Sequence, residues 1–428
     1  MSFCIKNIYK GYLPGKKIEE CGGNLGDSIF FPILLEIYRN VLEDLGLTIK
    51  ITEKKDSPIS PNKTIYIVGG GSLIYPQCFN FCNFPKDDNY LLLNGTGMTD
   101  FKRTDKFETD MYLKGSFKEN KLLVNHFVND KYLKKSFEII NHFKKKGRLY
   151  GGFRGKFEED ISTLFGDKIR VMNDSGLLSY LFFKSDMLYE VMGQNCVVKN
   201  INSLDKKIAI VNIIHISGRD ALRSRGLDHR KYNKHIQEFQ KELCEKLLKE
   251  GYYVFLMGVS CSPKEAIIEK SLYDHLIGKG YKSVGYYSDY IKQRNILTYL
   301  YVLQQAHLVI GVRLHSTIIP NSFGIPTINM CYGIKGINYS VTNDLVDYCK
   351  TTFDPDLDAG DVMTRVSKIE KEYSYIKKKL LGIREDVYNR YYNSTKKLLE
   401  PLVPKSFKRC TIRDDIVKSV RSEFDLVF

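Results

Sequence analysis

The segment Gly311-Val-Arg-Leu-His315 sets a guanidinium and an imidazole two residues apart, between a short apolar run and the start of a helix. At such a junction side chains face the carboxyl end of the strand, and the helix N-terminus adds partial positive charge. Arginine suits bidentate contacts to carboxylate or phosphate, and histidine titrates near neutrality. Arg313 and His315 therefore form a candidate catalytic pair for proton transfer to an anionic substrate. Lys335, in Tyr332-Gly-Ile-Lys335 at the end of the next strand, is expected over the same rim, and Arg154 stands just beyond an earlier strand.

Four glycine-marked strand ends fall in the first half: Cys21-Gly-Gly-Asn-Leu-Gly-Asp27, Gly69-Gly-Gly-Ser72, Asn94-Gly-Thr-Gly97 and Gly151-Gly-Phe-Arg154. Glycines there let a ligand approach backbone N–H groups closely. None has the spacing of a Walker loop or of a dinucleotide fingerprint. Together they mark a lined cleft, with Gly70, Asn94 and Thr96 as candidate substrate-binding positions.

The elements that must hold these residues alternate regularly. Apolar runs such as Thr64–Val68, Tyr90–Leu93, Tyr253–Met257 and Leu308–Ile310 read as buried strands. Amphipathic runs between them read as helices: Ile236, Phe239, Leu243 and Leu247 share one face, and Gly251 closes that helix. The pattern predicts an α/β chain with parallel sheets covered by helices. A polar stretch near residue 203 divides it into an N-terminal domain, 1–203, and a second domain with C-terminal helices, 204–400. Residues 401–428 read as a charged tail. In doubly wound domains ligands sit beyond the carboxyl ends of the strands, so the cleft between two of them is the expected site.

Composition narrows the classes. The 428 residues are 43% hydrophobic and carry 65 Lys and Arg against 50 Asp and Glu, a net charge of +15. The charges are interleaved along the chain, and no zinc-finger, RRM or homeodomain pattern occurs, so nucleic acid is not an expected partner. The N-terminus lacks the apolar core of a signal peptide, and no segment has the continuous apolar length of a membrane span. Ten scattered cysteines, with Cys78 and Cys82 as the one close pair, suggest free thiols, no metal and a cytoplasmic location.

Gly-Gly-Asn-x-Gly-Asp near the start, a Gly-Gly-Gly-Ser strand end, an arginine after a mid-chain strand, then Gly-x-Arg-Leu-His and Tyr-x-x-Lys resemble the polysaccharide pyruvyltransferase family. The resemblance spans roughly residues 20–345. It implies two Rossmann-like domains in a GT-B-like arrangement, with the active site between them. It further implies phosphoenolpyruvate as donor, no cofactor, and a cyclic pyruvate ketal on a sugar or glycan acceptor as product. His315 becomes the catalytic acid by this resemblance. Arg313, Arg154 and Lys335 become ligands of the donor's phosphate and carboxylate, and Asn24 lines the site. The chemistry fits: the donor has two anionic groups needing fixed cations, and its enol carbon must be protonated. Asp27 and Asp174 are candidate bases for the sugar hydroxyls, although Asp27 reads first as a helix cap.

Two other readings remain open at this level. One is a GT-B glycosyltransferase using a nucleotide sugar, which would want a Glu or a ribose-binding carboxylate in the second-domain cleft, where residues 258–265 offer only Glu265. The other is a non-catalytic polyanion-binding module using the basic stretch 218–232, with Arg219, Arg223, Arg225 and Arg230, and the Lys-rich C-terminal helix.

Overall fold

The computed structural model describes residues 3–8, 25–52, 63–69, 89–97, 129–166, 168–182, 201, 204–212, 228–258, 263–286, 296–354, 357–402 and 409–413. In the first half these form β1 (Phe3–Ile8), α1 (Leu25–Asp44), β2 (Thr48–Thr52), β3 (Lys63–Gly69), β4 (Tyr90–Thr96), α2 (Lys131–Lys145), β5 (Leu149–Phe153) and α3 (Lys156–Leu164). A 3-10 segment, Ser175–Phe182, follows. Strands β1, β3, β4 and β5 make one parallel sheet in the order β1-β3-β4-β5.

The second half holds β6 (Ile208–Val211), α4 (His229–Lys249), β7 (Tyr253–Leu256), α5 (Pro263–Gly278), β8 (Val284–Tyr286), α6 (Ile296–Gln304), β9 (Leu308–Gly311), α7 (Leu314–Ser322), β10 (Thr327–Cys331), α8 (Ile334–Thr342) and β11 (Cys349–Thr351). Its six strands are parallel, in the order β11-β10-β9-β6-β7-β8. That is the doubly wound order in which the chain runs outward twice from the centre. The strand order reverses between β6 and β9, and such a switch point opens a crevice at the carboxyl ends.

Burial follows the sequence periodicity. In α4, Ile236, Phe239, Leu243 and Leu247 are all buried, and β9 is buried along its whole length. Each such side chain contributes about 1.5–3 kcal/mol by leaving water. Strands inside a parallel sheet are covered on both faces, which explains their continuous apolar runs.

The chain then returns to its first half. Helix α9 (Ala359–Leu399) starts against the second sheet, where Glu370 accepts from Lys207 Nζ at 2.5 Å and lies 2.8 Å from His307 Nε2. Its backbone leaves helical geometry at Glu372 (φ −109°, ψ 15°). Beyond that bend, Tyr391 donates to Asn173 O at 3.0 Å, and Asn40 Nδ2 donates to Tyr388 at 3.3 Å. The far part of α9, which the sequence reading places in the second domain, packs on the first half. Residues 401–428 are not simply a charged tail: β12 (Arg409–Arg413) pairs in parallel with β2. Its alternation Arg-Cys-Thr-Ile-Arg is too short and too charged to stand out as a strand.

Among the described residues, no helix is long and apolar enough to cross a membrane. The chain is an α/β protein of two Rossmann-like units with a helical C-terminal extension.

Candidate active site

The switch point is organised by Asn212, the residue after β6. Its Oδ1 accepts from Val312 N (3.2 Å), Arg313 N (3.1 Å) and Ser316 Oγ (2.9 Å), while Nδ2 donates to Met257 O at 2.8 Å. One buried amide thus fixes the turn between β9 and α7 and ties it to the end of β7. Arg313 is the N-cap residue of α7, and its side chain makes no cap hydrogen bond. Its guanidinium is held by Glu265 on α5 and by the Tyr332 hydroxyl.

His315 lies in the first turn of α7 and is nearly buried. Burial disfavours its charged form, and the charges of Arg154, Lys335 and Arg313 push the same way, bringing its pKa down to about 3. The field of three cations therefore converges on one neutral imidazole. Lys335 stands in the first turn of α8, whose N-cap is Gly333, again without a side-chain cap.

Arg154 comes from the other unit. Its N–H bonds Thr96 O at 2.9 Å, and its buried guanidinium lies 3.8 Å from both Glu158 and Asp174. Gly97 makes room for it, since a Cβ there would stand 2.4 Å from Arg154 Nη2. Asp174 accepts from Gly176 N at 2.8 Å, and burial raises its pKa against the opposing charge of Arg154. The residue before it, Asn173, has φ 74° and forms a reciprocal amide pair with Asn343 of the second unit.

The two units are joined at this rim. The start of α3 carries Phe157 N, which donates to Asn338 Oδ1 at 3.1 Å, and Lys156 N, which donates to Thr342 Oγ1 at 3.0 Å. Asn338 Nδ2 in turn donates to Glu158 Oε2 at 2.7 Å. Side chains of α8 thus cap α3 across the cleft.

The structure brings four of the sequence candidates together: Arg154, Arg313, His315 and Lys335. Thr96 is wholly buried and joins them through its carbonyl. Asn94 is turned to the core, where Nδ2 donates to Tyr38 at 2.7 Å. Asn24, Gly70 and the arginines 219, 223 and 225 lie outside the described residues, while Arg230 sits in the first turn of α4. Asp27 lies within α1 rather than at its cap, because the helix starts at Leu25. Sequence reading passed over Asn212, Glu158 and Asn338. The polar residue closing the apolar run Ile208–Val211 is the signal that would have found the first.

The polysaccharide pyruvyl transferase model matches residues 24–334, well over half of the chain, and the protein belongs to that family. No curated protein matches the sequence. Among solved structures, a protein described as a UDP-N-acetylglucosamine 2-epimerase from Listeria monocytogenes shares 9% identity, over 92% of this chain and 84% of that one, with a TM-score of 0.45. The UDP-GlcNAc 2-epimerase from Neisseria meningitidis, bound to UDP-GlcNAc, shares 11% over 94% and 99%, with a TM-score of 0.37. The wall teichoic acid polymerase TagF shares 12% over 100% and 87%, with a TM-score of 0.34.

Proposed function

We propose that the chain transfers a pyruvyl group from phosphoenolpyruvate to two hydroxyls of one sugar in a glycan, forming a cyclic ketal and releasing phosphate. The observation that carries this reading is the convergence of Arg154, Arg313 and Lys335 on His315. A donor with one carboxylate and one phosphate calls for two or three fixed cations and one proton donor.

Without donor, His315 is neutral and holds no proton to give. The donor's negative charge counters the three cations, so the imidazole's pKa rises when the donor binds. Protonated His315 then delivers a proton to the enol carbon, and C2 becomes oxocarbenium-like. One sugar hydroxyl adds to C2 and loses its proton, with the Asp174 carboxylate as the acceptor. The C2–O bond to phosphate breaks as the departing oxygen takes the proton held by Asp174, so phosphate leaves as the hydrogen phosphate dianion, stabilised by Arg313 and Lys335. The second hydroxyl closes the ketal and gives its proton to the neutral His315, which returns both side chains to their starting states. Arg154 binds the donor carboxylate.

The test is phosphate release from phosphoenolpyruvate with a panel of hexose and N-acetylhexosamine acceptors, for wild type and His315→Ala. Acceptor-dependent release that falls at least about 100-fold in a folded His315→Ala supports the reading. Absence of release with every acceptor, together with no binding of phosphoenolpyruvate, overturns it.

A further inference from the structure

Beneath α8 two thiols meet that the proposed reaction does not use. Cys331 ends β10, and Cys349 begins the neighbouring strand β11. Cys349 lies opposite Asn329 and Cys331 opposite Thr351, so the two cysteines are diagonal neighbours on one face of the sheet. Both are buried there with Ile334 and Ile337 of α8. Neither is in a disulfide, and their sulfurs stand 2.9 Å apart. Bonded sulfurs are about 2.05 Å apart, so about 0.9 Å of closure separates this contact from a covalent one.

The two strands differ in their freedom to close that gap. Strand β10 is flanked by β9 and β11, whereas β11 is a three-residue strand at the edge of the sheet. Short edge strands open locally at low cost, so both the access of a small oxidant and the closing movement fall to Cys349. The hydrogen bond with Cys331 outweighs burial and, with Ser340 and the charge of Arg365, holds the Cys349 thiol below its ordinary range. Burial pushes the Cys331 thiol up. Cys349 therefore supplies the attacking sulfur.

We propose that Cys331 and Cys349 are a peroxide-sensitive pair that closes to a reversible disulfide and loosens the rim between the two units. The Cys349 sulfur attacks a peroxide oxygen, the O–O bond breaks, and the thiol proton leaves with the first water, giving a sulfenic acid. The Cys331 sulfur attacks the Cys349 sulfur, the S–O bond breaks, and the second thiol proton leaves with the second water. Two thiols are oxidised, and one peroxide is reduced to two waters. A dithiol reductant reverses the bond by exchange, as in disulfides that act as sensors in reducing compartments.

The bond closes a loop that contains all of α8. The start of that helix is held on β10: a Cβ at Gly336 would stand 2.9 Å from Cys331 Cβ, and Asn329 Nδ2 donates to Gly336 O at 2.8 Å. A shift of β11 is therefore passed to the rest of α8, where Asn338 and Thr342 accept from Phe157 N and Lys156 N of the first unit. The effect on activity rests on the reading of the cleft as the donor site.

The experiment treats the full chain with hydrogen peroxide, blocks the remaining thiols and maps its peptides without reduction. Trypsin cuts after Arg313, Lys335 and Lys350, so the two cysteines fall in separate peptides, 314–335 and 336–350. The expected product is these peptides joined, lighter than their sum by two hydrogens, and parted again by dithiothreitol. Peroxide should lower kcat/KM for phosphoenolpyruvate about tenfold, with recovery on reduction, and leave Cys349→Ser unaffected. The Phe157 amide, whose acceptor is on α8, should exchange its hydrogen faster in the oxidised chain. No joined peptide, or sulfinic acid on either cysteine in its place, overturns the proposal. So does unchanged exchange at Phe157, or a Cys349→Ser enzyme that loses activity as wild type does. Cys349→Ala serves where the serine variant fails to fold. The peptide and exchange arms stand even where phosphoenolpyruvate proves not to be the donor.

Discussion

Gly97→Ala separates a role for Arg154 at the donor site from a role in folding. An alanine Cβ at position 97 would stand 2.4 Å from Arg154 Nη2, 2.6 Å from Cζ and 2.7 Å from Nε. Ordinary contact begins at 3.4 Å, so the guanidinium must retreat by about 1 Å. The backbone at 97 is not in the left-handed region and accepts alanine without strain. Arg154 cannot swing into solvent, because its side chain is 5% exposed and sits between Glu158 and Asp174. A yielding side chain keeps the folding cost to about 1–2 kcal/mol. A displacement of about 1 Å in a group that orients substrate costs on the order of 100-fold in rate, or about 2.7 kcal/mol of transition-state stabilisation. Phosphate release measures kcat/KM for phosphoenolpyruvate, and urea unfolding measures stability. A folded Gly97→Ala enzyme with wild-type kcat/KM refutes the assignment of Arg154 to the donor.

Asn212→Ala should lose about 3 kcal/mol of stability, because the buried N–H of Val312 and the part-buried N–H of Arg313 lose their acceptor; urea unfolding checks this. Its kcat/KM should fall as well, since the turn carrying Arg313 is no longer fixed. His315 also makes stability depend on pH. Its folded pKa of about 3 lies below the ordinary value of 6.5, so the unfolded chain binds the proton more readily between those values. The contribution is present in full above pH about 6.5 and is lost as pH falls toward about 3. Unfolding of wild type against His315→Gln isolates it, the variant lacking this part of the slope. Saturating phosphoenolpyruvate should flatten the wild-type slope, because bound anion raises the imidazole's pKa.

The residues legible in the sequence were those whose type and strand-end position already carry chemistry. Arg313 and His315 follow a strand that is apolar throughout, Lys335 follows the next strand, and strand ends in a doubly wound sheet face the crevice whatever the sheet's order. What supports them was not legible. Asn338 and Glu158 are 180 residues apart, and Asn173 and Asn343 are 170 apart. Such contacts follow from how the two units meet, which no local pattern encodes. Asn94 illustrates the converse: its place beside Gly95 suggested a ligand contact, but the strand's pleat turns its amide to Tyr38 in the core. In the sequence Glu265 stood out only as the single Glu of residues 258–265, and the structure pairs it with Arg313. The strand β12 was missed because its pairing with β2 joins segments from opposite ends of the chain.

Proton delivery to the enol carbon is the central claim, and the product's methyl group records it. The reaction is run in heavy water with phosphoenolpyruvate and the acceptor that supports phosphate release, and the glycan product is analysed by mass spectrometry and NMR. The account predicts a pyruvate ketal whose methyl group carries one deuterium, formed by wild type and not by His315→Ala. A product that retains the vinyl group or the phosphate, or a ketal methyl group without deuterium, contradicts it.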